Sequence, residues 1–170
     1  LNPTHIVFGK VTIAQLRDLI PQDEKILMTY GGGSIFKNGV YDQVETALHS
    51  MSMLEFGGIE ANPTFETLMK AVEIVKKEGI TFLLAVGGGS VLDGTKFIAA
   101  ASRYVGDDPW DILAKGAKVK SAIPFGSVLT LPATGSEMNS GAVISRKSTQ
   151  EKRDFGSPLT FPVFSILDPS

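Results

Sequence analysis

The stretch "ITFLLAV", residues 80–86, constrains this fold more than any other. No apolar/polar alternation runs through it, so neither face of such a strand is meant for water. A strand buried on both faces belongs inside a parallel sheet with helices on each side. The flanking sequence supplies those helices. "TFETLMKAVEIVKKEG" (64–79) places Leu68, Ala71, Val72 and Val75 on one stripe, with Thr64 placed to cap its start, Thr67 one turn on, and Gly79 after its end. "VLDGTKFIAAASRYV" (91–105) reads as the helix that follows the strand.

The same alternation extends along the chain. Strands are expected at 5–9, 25–30, 53–56, 127–134 and 161–170, and further helices at 12–20, stopping before Pro21, and at 41–51. Strand and helix in this order predict right-handed βαβ crossovers and an α/β parallel sheet. Residues 142–158 are polar and alternate only locally, and are read as a hairpin or flap outside the core. The length of 170 residues suits one domain, 1–170, and a net charge of −2 gives no electrostatic case for nucleic acid or a membrane surface. No run approaches the ~20 apolar residues of a membrane span. The chain has no cysteine, which excludes disulfides and thiolate metal sites and fits a reducing cytoplasm.

Three glycines, Gly87, Gly88 and Gly89, stand between the 80–86 strand and the next helix. Ligands of parallel sheets bind beyond the carboxyl ends of the strands. Ser90 and Asp93 form a Ser-x-x-Asp capping-box pattern at the helix start. Free helix amides behind bare glycines make a seat for phosphate or diphosphate. The competing reading is a tight turn and a capped helix that bind nothing. Lys96 either reaches back toward a ligand or is solvated. The spacing matches neither G-x-G-x-x-G nor the P-loop.

A second glycine turn, Gly31, Gly32, Gly33 and Ser34, follows the 25–30 strand. Dinucleotide folds that take NAD carry an acid near this point. No Asp or Glu stands between Tyr30 and Val40, which leans the reading toward NADP over NAD, with Lys37 as a partner for a 2′-phosphate. The alternative is a turn that touches nothing. A third segment offers Thr134, Gly135, Ser136 and Asn139 after a strand. It suits a ribose or a nicotinamide amide, or is an ordinary polar loop.

Together, "FGGIEANPTFETL", "LLAVGGGSVLDGTKFIA" and "TLPATGSEMNSGAVIS" resemble the N-terminal domain of iron-containing alcohol dehydrogenases. Within that family the chain most resembles the NADPH-dependent butanol dehydrogenase and aldehyde reductase branch. The resemblance implies a Rossmann-like, dehydroquinate-synthase-like α/β nucleotide-binding domain, with the C-terminal all-helical metal domain absent from this chain. It implies that Gly87 to Asp93 hold the pyrophosphate, with Asp93 ordering the turn and Lys96 facing the cofactor cleft. It further implies Asn62 near the adenine ribose, Thr134 and Ser136 along the nicotinamide half with Asn139 near it, and Lys152 at the cofactor ribose. Gly31 to Ser34 match the branch that accepts the 2′-phosphate.

The family's metal ligands, an aspartate and three histidines, lie in the helical domain. This chain has only His5 and His49, both read as structural or surface residues. A divalent metal, Fe²⁺ or Zn²⁺, is therefore expected only in the missing domain, and no catalytic or metal residue is assigned here. The implied activity is reversible hydride transfer between NADPH and a small aldehyde or primary alcohol, by a full-length homodimer. Three alternatives stay open: an NAD-dependent polyol (glycerol-type) dehydrogenase or dehydroquinate synthase relative, a non-catalytic nucleotide-binding module, and a sugar-phosphate binder. Phe125, Met138, Phe155 and Phe161 are candidates for an apolar face toward the helical domain, each also readable as core.

Overall fold

The computed structural model describes residues 4–8, 10–130 and 139–168. The strands are β1 (His5–Phe8), β2 (Lys25–Thr29), β3 (Ser52–Phe56), β4 (Phe82–Gly87), β5 (Phe125–Leu129), β6 (Ala142–Arg146), β7 (Glu151–Phe155) and β8 (Phe164–Leu167). The helices are α1 (Leu16–Leu19), α2 (Ser34–Lys37), α3 (Val40–Leu48), α4 (Phe65–Glu78), α5 (Gly89–Ser102) and α6 (Asp111–Ala114). Six strands form one parallel sheet in the order β1-β8-β5-β4-β2-β3, and β6 and β7 form a separate antiparallel hairpin.

Every residue of β4 is buried, as its sequence demands. Phe82, Leu84 and Val86 join Ile26 and Met28 of β2 in one layer, against Val40, Val44 and Leu48 of α3. Leu83 and Ala85 face the opposite layer with Leu27, against Leu68, Val72 and Val75 of α4 and the apolar body of α5. The period-two alternation of a strand thus serves two cores at once.

The strand order reverses beside β2. After β2 the chain pairs β3 on one side, then returns to place β4 on the other. The connections leaving β2 and β4 therefore diverge at their carboxyl ends and open a crevice there.

Local chemistry explains most boundaries. Thr64 caps α4 by accepting a hydrogen bond from the Thr67 amide at 3.3 Å, and Gly79 closes the helix with φ +67°. The expected 12–20 helix is instead a 3₁₀ segment, Lys10–Gln15, followed by the single turn of α1. Its tighter winding stacks residues three apart, and Ile13 and Leu16 are both wholly buried. Two short helices, α2 and α6, have no counterpart in the sequence reading.

The 142–158 segment is a hairpin, but its placement outside the core needs correction. Ala142 and Ile144 of β6 are buried, and Ile144 belongs to the same core as Phe97 of α5. The two residues lie two apart, so they share the strand's inner face while Val143 is exposed. Phe125 is also core rather than interface, and Phe155 packs half-buried against the same layer. Phe161 is half-buried, and Met138 lies outside the described residues. Among the described residues, the large apolar side chains that face solvent are Phe36, Leu54, Val105, Val143, Leu159 and Val163.

At β5, the Phe164 ring of neighbouring β8 lies across the bare backbone of Gly126, and it stacks on Phe82 with centroids 6.0 Å apart. A methyl at 126 would collide with that ring. Gly126→Ala is expected to destabilise the fold by roughly 1–3 kcal/mol, the usual cost of overpacking. Urea unfolding checks this: the midpoint falls and the slope is unchanged.

Candidate functional site

The crevice between β2 and β4 has a volume of about 240 Å³. Gly31, Gly32 and Ser34 line one wall, and Gly87, Gly88 and Ser90 line the other. Ile35, Ile59, Ala61, Val86, Val91 and Thr130 complete it. Among the described residues, no charged side chain lines the crevice. Its electrostatics come from backbone. Gly88 is the N-cap of α5 without a side-chain cap, and the first intrahelical bond runs from Leu92 N to Gly88 O at 3.3 Å. The amides of Gly89, Ser90 and Val91 precede that bond and have no intrahelical acceptor. They carry the positive end of a fourteen-residue helix to the crevice.

Bare backbone is required at particular points. Gly87 has φ +149°, and a Cβ there would sit 3.0 Å from Val91 Cγ2. A Cβ on Gly31 would meet the Ile59 carbonyl oxygen at 3.1 Å. Gly32, Gly33 and Gly88 have nothing within 4 Å of where a Cβ would stand. The walls are fixed by backbone bonds: Gly58 N to Gly31 O at 2.8 Å, Ile59 N to Tyr30 O at 3.2 Å and Thr130 N to Gly87 O at 3.1 Å. A larger cavity of about 610 Å³ lies elsewhere, between α6 with its following loop and residues 154–159. Its lining includes none of the residues read from the sequence as cofactor-binding and none from the carboxyl ends of the parallel strands, so chemistry favours the smaller crevice.

The structure brings the two glycine turns together, as dinucleotide binding requires. Ser90 is not the helix cap that the Ser-x-x-Asp pattern predicts. The cap is Gly88, two residues earlier, so Ser90 lies within the first turn and faces the crevice. Asp93 reaches across to the hairpin, where its Oδ2 accepts the Val143 amide at 3.3 Å. Lys96 is not solvated. It is wholly buried, and its ammonium donates to Asn139 Oδ1 at 3.1 Å and to Gly141 O at 2.9 Å. Asn139 Oδ1 also accepts the Gly141 amide at 3.1 Å.

Gly33 caps α2 and is not among the crevice residues, Gly89 opens α5, and Lys37 ends α2 exposed. Asn62 is exposed, one residue beyond crevice-lining Ala61. Lys152 is exposed on β7, opposite Ser145 in register, and is not among the crevice residues. Thr134 and Ser136 lie outside the described residues. The sequence reading missed Ile59, Ala61 and Thr130. All three follow the carboxyl ends of strands, and that rule, applied to β3 and β5 as well as to β2 and β4, is the signal that finds them.

The sequence pattern described as "Iron-containing alcohol dehydrogenase" matches residues 3–169. This chain belongs to that family. It is 64% identical over 170 residues to the NADPH-dependent aldehyde reductase YqhD of Escherichia coli, covering 99% of this chain and 44% of that protein. It is 53% identical over 171 residues to the probable NADH-dependent butanol dehydrogenase 1 of Bacillus subtilis, again covering 99% and 44%. The crystal structure of E. coli YqhD superposes with a TM-score of 0.97 at 62% identity, over 99% of this chain and 44% of that one. The NADH-dependent butanol dehydrogenase A of Thermotoga maritima gives a TM-score of 0.95 at 45% identity, over 100% and 44%. The chain therefore spans less than half the length of the relatives it matches.

Iron-containing alcohol dehydrogenases are named for a metal, so the ligating side chains here bear on this member. Among the described residues no three His, Cys, Asp or Glu side chains gather where they could hold an ion. His49 is exposed just beyond α3, its Nδ1 3.3 Å from the Thr46 carbonyl oxygen. The residues described here do not fit a metal, and no chemical step in this chain is assigned to one. No helix among the described residues is long and apolar enough to cross a membrane.

Two carboxylates at the start of α4 hold the neighbouring loops. Glu60 Oε2 accepts the hydroxyls of Thr64 at 2.9 Å and Thr67 at 2.7 Å, and Lys147 Nζ lies 3.5 Å from the same oxygen. Glu66 Oε1 and Oε2 accept the Lys147 and Ser148 amides at 2.9 and 3.0 Å. Burial opposes the ionisation of both acids, but these hydrogen bonds outweigh it and hold each carboxyl below its ordinary 4.5. A carboxyl lowered in the folded state stabilises above its unfolded value and loses that contribution as pH falls through the lowered one. Stability is therefore expected to be level from neutral pH to about pH 5 and to decline below it. Glu66→Gln should flatten the decline, as read by urea midpoints across acid pH.

Proposed function

We propose that residues 1–170 are the nucleotide-binding domain of a two-domain, NADPH-dependent oxidoreductase that interconverts aldehydes and primary alcohols. One observation carries this reading: the acid-free Gly31–Ser34 turn and the uncapped N-terminus of α5 face each other across one crevice. A helix N-terminus suits the diphosphate of a dinucleotide. A wall of glycine and serine without a carboxylate leaves room for a 2′-phosphate, and Lys37 stands at the end of the same short helix.

The relatives' names support the redox reading and leave cofactor choice to the residues. One is named for NADPH and another, at 53% identity, for NADH. The superposition is nearly as good on a structure named for NADH, so the backbone alone does not discriminate. The discriminating element is then the second turn, where a carboxylate or its absence decides between a free ribose hydroxyl and a phosphate.

Within this reading the α5 amides and Gly87–Ser90 bind the diphosphate, and Asp93 and Lys96, one and two turns further along α5, fix the base of the hairpin beside the cofactor. Gly31–Ser34 bind the 2′-phosphate. Asn62 and Lys152 reach ribose hydroxyls, and Thr134, Ser136 and Asn139 flank the nicotinamide. The nicotinamide, when bound, supplies or accepts the hydride. This chain's own residues bind and orient it, and Ile59, Val86 and Val91 give the diphosphate crevice an apolar lining. The Fe²⁺ or Zn²⁺ that the family resemblance implies belongs to the part of the protein outside this chain. A cytoplasmic location, supported by the cysteine-free composition, and a homodimeric full-length enzyme complete the reading.

Gly32 offers the clean test, because a side chain there meets nothing within 4 Å and leaves the fold intact. In the complete protein, Gly32→Asp is expected to weaken NADPH by about ten- to a hundredfold through like-charge repulsion and to leave NADH within a few-fold. Fluorescence titration with both cofactors measures it. Equal loss for both would remove the 2′-phosphate assignment, and no binding of either cofactor to the unmodified protein would remove the whole reading.

A further inference from the structure

The β6–β7 hairpin carries Lys152, yet a two-stranded ribbon has little stability of its own. Its attachments are few and specific. At its base, Asp93 and Lys96 of α5 hold the Val143 amide and the Gly141 carbonyl. Midway, the Ser145 amide donates to Pro63 O at 2.9 Å, and Thr64 bridges Ser145. The Arg146 guanidinium lies between the Phe65 and Trp110 rings, 5.1 and 5.3 Å from their centroids. At the tip, the exposed Lys147 ammonium pairs with Glu60 at 3.5 Å, and the hydrogen bonds to the turn backbone come from one side chain. Both oxygens of Glu66 accept consecutive turn amides, Lys147 and Ser148, in two short charge-assisted bonds.

Glu66 lies in the first turn of α4, one residue after Phe65 and two after the Thr64 cap. Its negative charge is favoured there by the helix dipole. The side chain that closes the tip therefore stands on a rigid element fixed to the central sheet. From the tip, the ladder leads back through the Arg146–Glu151 pair to the Ser145–Lys152 pair. Lys152 is thus one cross-strand pair beyond the last one before the turn. With the tip released, β7 keeps its ladder to β6 and, at its far end, the packing of Phe155 against Phe97 of α5.

We propose that Glu66 is a positioning residue of the cofactor site: it clamps the hairpin turn and thereby sets where Lys152 stands. This rests on the reading that Lys152 reaches the cofactor. Glu66 itself touches no cofactor. It acts through two backbone amides and a pair of strands, which separates it from residues that bind directly.

A double-mutant cycle in the complete protein tests it. Lys152→Ala is expected to weaken NADPH binding about tenfold, and Glu66→Ala by a similar factor while the protein remains folded. If Glu66 acts through Lys152, Glu66→Ala in the Lys152→Ala background adds little, so the double variant binds like the single ones. Glu66→Gln keeps one acceptor and the same reach, and an intermediate loss from it guards against a misfolded alanine variant. Hydrogen exchange at the Lys147 and Ser148 amides should accelerate in Glu66→Ala while the α4 and β4 amides stay protected. Full multiplication of the two losses, or a silent Glu66→Ala beside an effective Lys152→Ala, overturns the proposal. A silent Lys152→Ala with accelerated exchange overturns the reading beneath it, and the positioning role falls with it.

Discussion

The backbone bend at Gly87 is the constraint on which the rest of this structure depends. β4 is buried on both faces and must end at the open edge of the sheet. There its chain turns into α5 without putting a side chain where a ligand would lie. With φ +149° and Val91 Cγ2 standing 3.0 Å from where a Cβ would lie, residue 87 suits glycine alone. The following residues divide the remaining work: Gly88 caps the helix with bare backbone and Gly89 opens it. Three consecutive glycines thus answer three requirements: one conformational, one of access and one of helix geometry.

That bend has value only because of where β4 lies. If β4 had paired beyond β3, its end would face the edge of the sheet and the first glycine turn would stand apart from it. The reversal at β2 makes the two turns opposite walls. Buried hydroxyl pairs keep the neighbouring elements in step. Thr29 at the end of β2 meets Thr95 of α5 at 2.7 Å, and Ser127 of β5 meets Ser165 of β8 at 2.8 Å. Each pair satisfies two polar groups that burial would otherwise penalise by about 1–3 kcal/mol apiece.

Much of this was legible in the sequence where the determinants are local. The continuous apolar run gave the central strand, the Thr64 and Gly79 caps gave α4, and glycines after strands gave the crevice. Pattern failed where a distant partner decides. Ser90 has the chemistry of a cap, but the bend at Gly87 starts the helix earlier. Pattern leaves Lys96 open between a ligand contact and solvent, and its hydrogen bonds to Asn139 and Gly141, more than forty residues away, show how it is accommodated in the interior. β6 looks polar because its inner face offers just Ala142 and Ile144. Glu66 reads as an ordinary first-turn acid, since nothing local indicates that its partners are amides over eighty residues on.

The division between local and distant determinants matches a division of labour. A helix N-terminus binds any diphosphate about equally, so in the proposed reading α5 supplies affinity without selectivity. Selectivity in that reading comes from groups that meet what differs between cofactors, on the turn across the crevice that belongs to another strand. Placement of the outer contacts depends on a third layer, the hairpin, which is held to α4 and α5 by side-chain to backbone bonds rather than by the sheet. Each layer can therefore vary with limited disturbance to the others. A change at Gly32 meets open space, whereas one at Gly87 must contend with Val91 and with the backbone conformation that opens the crevice.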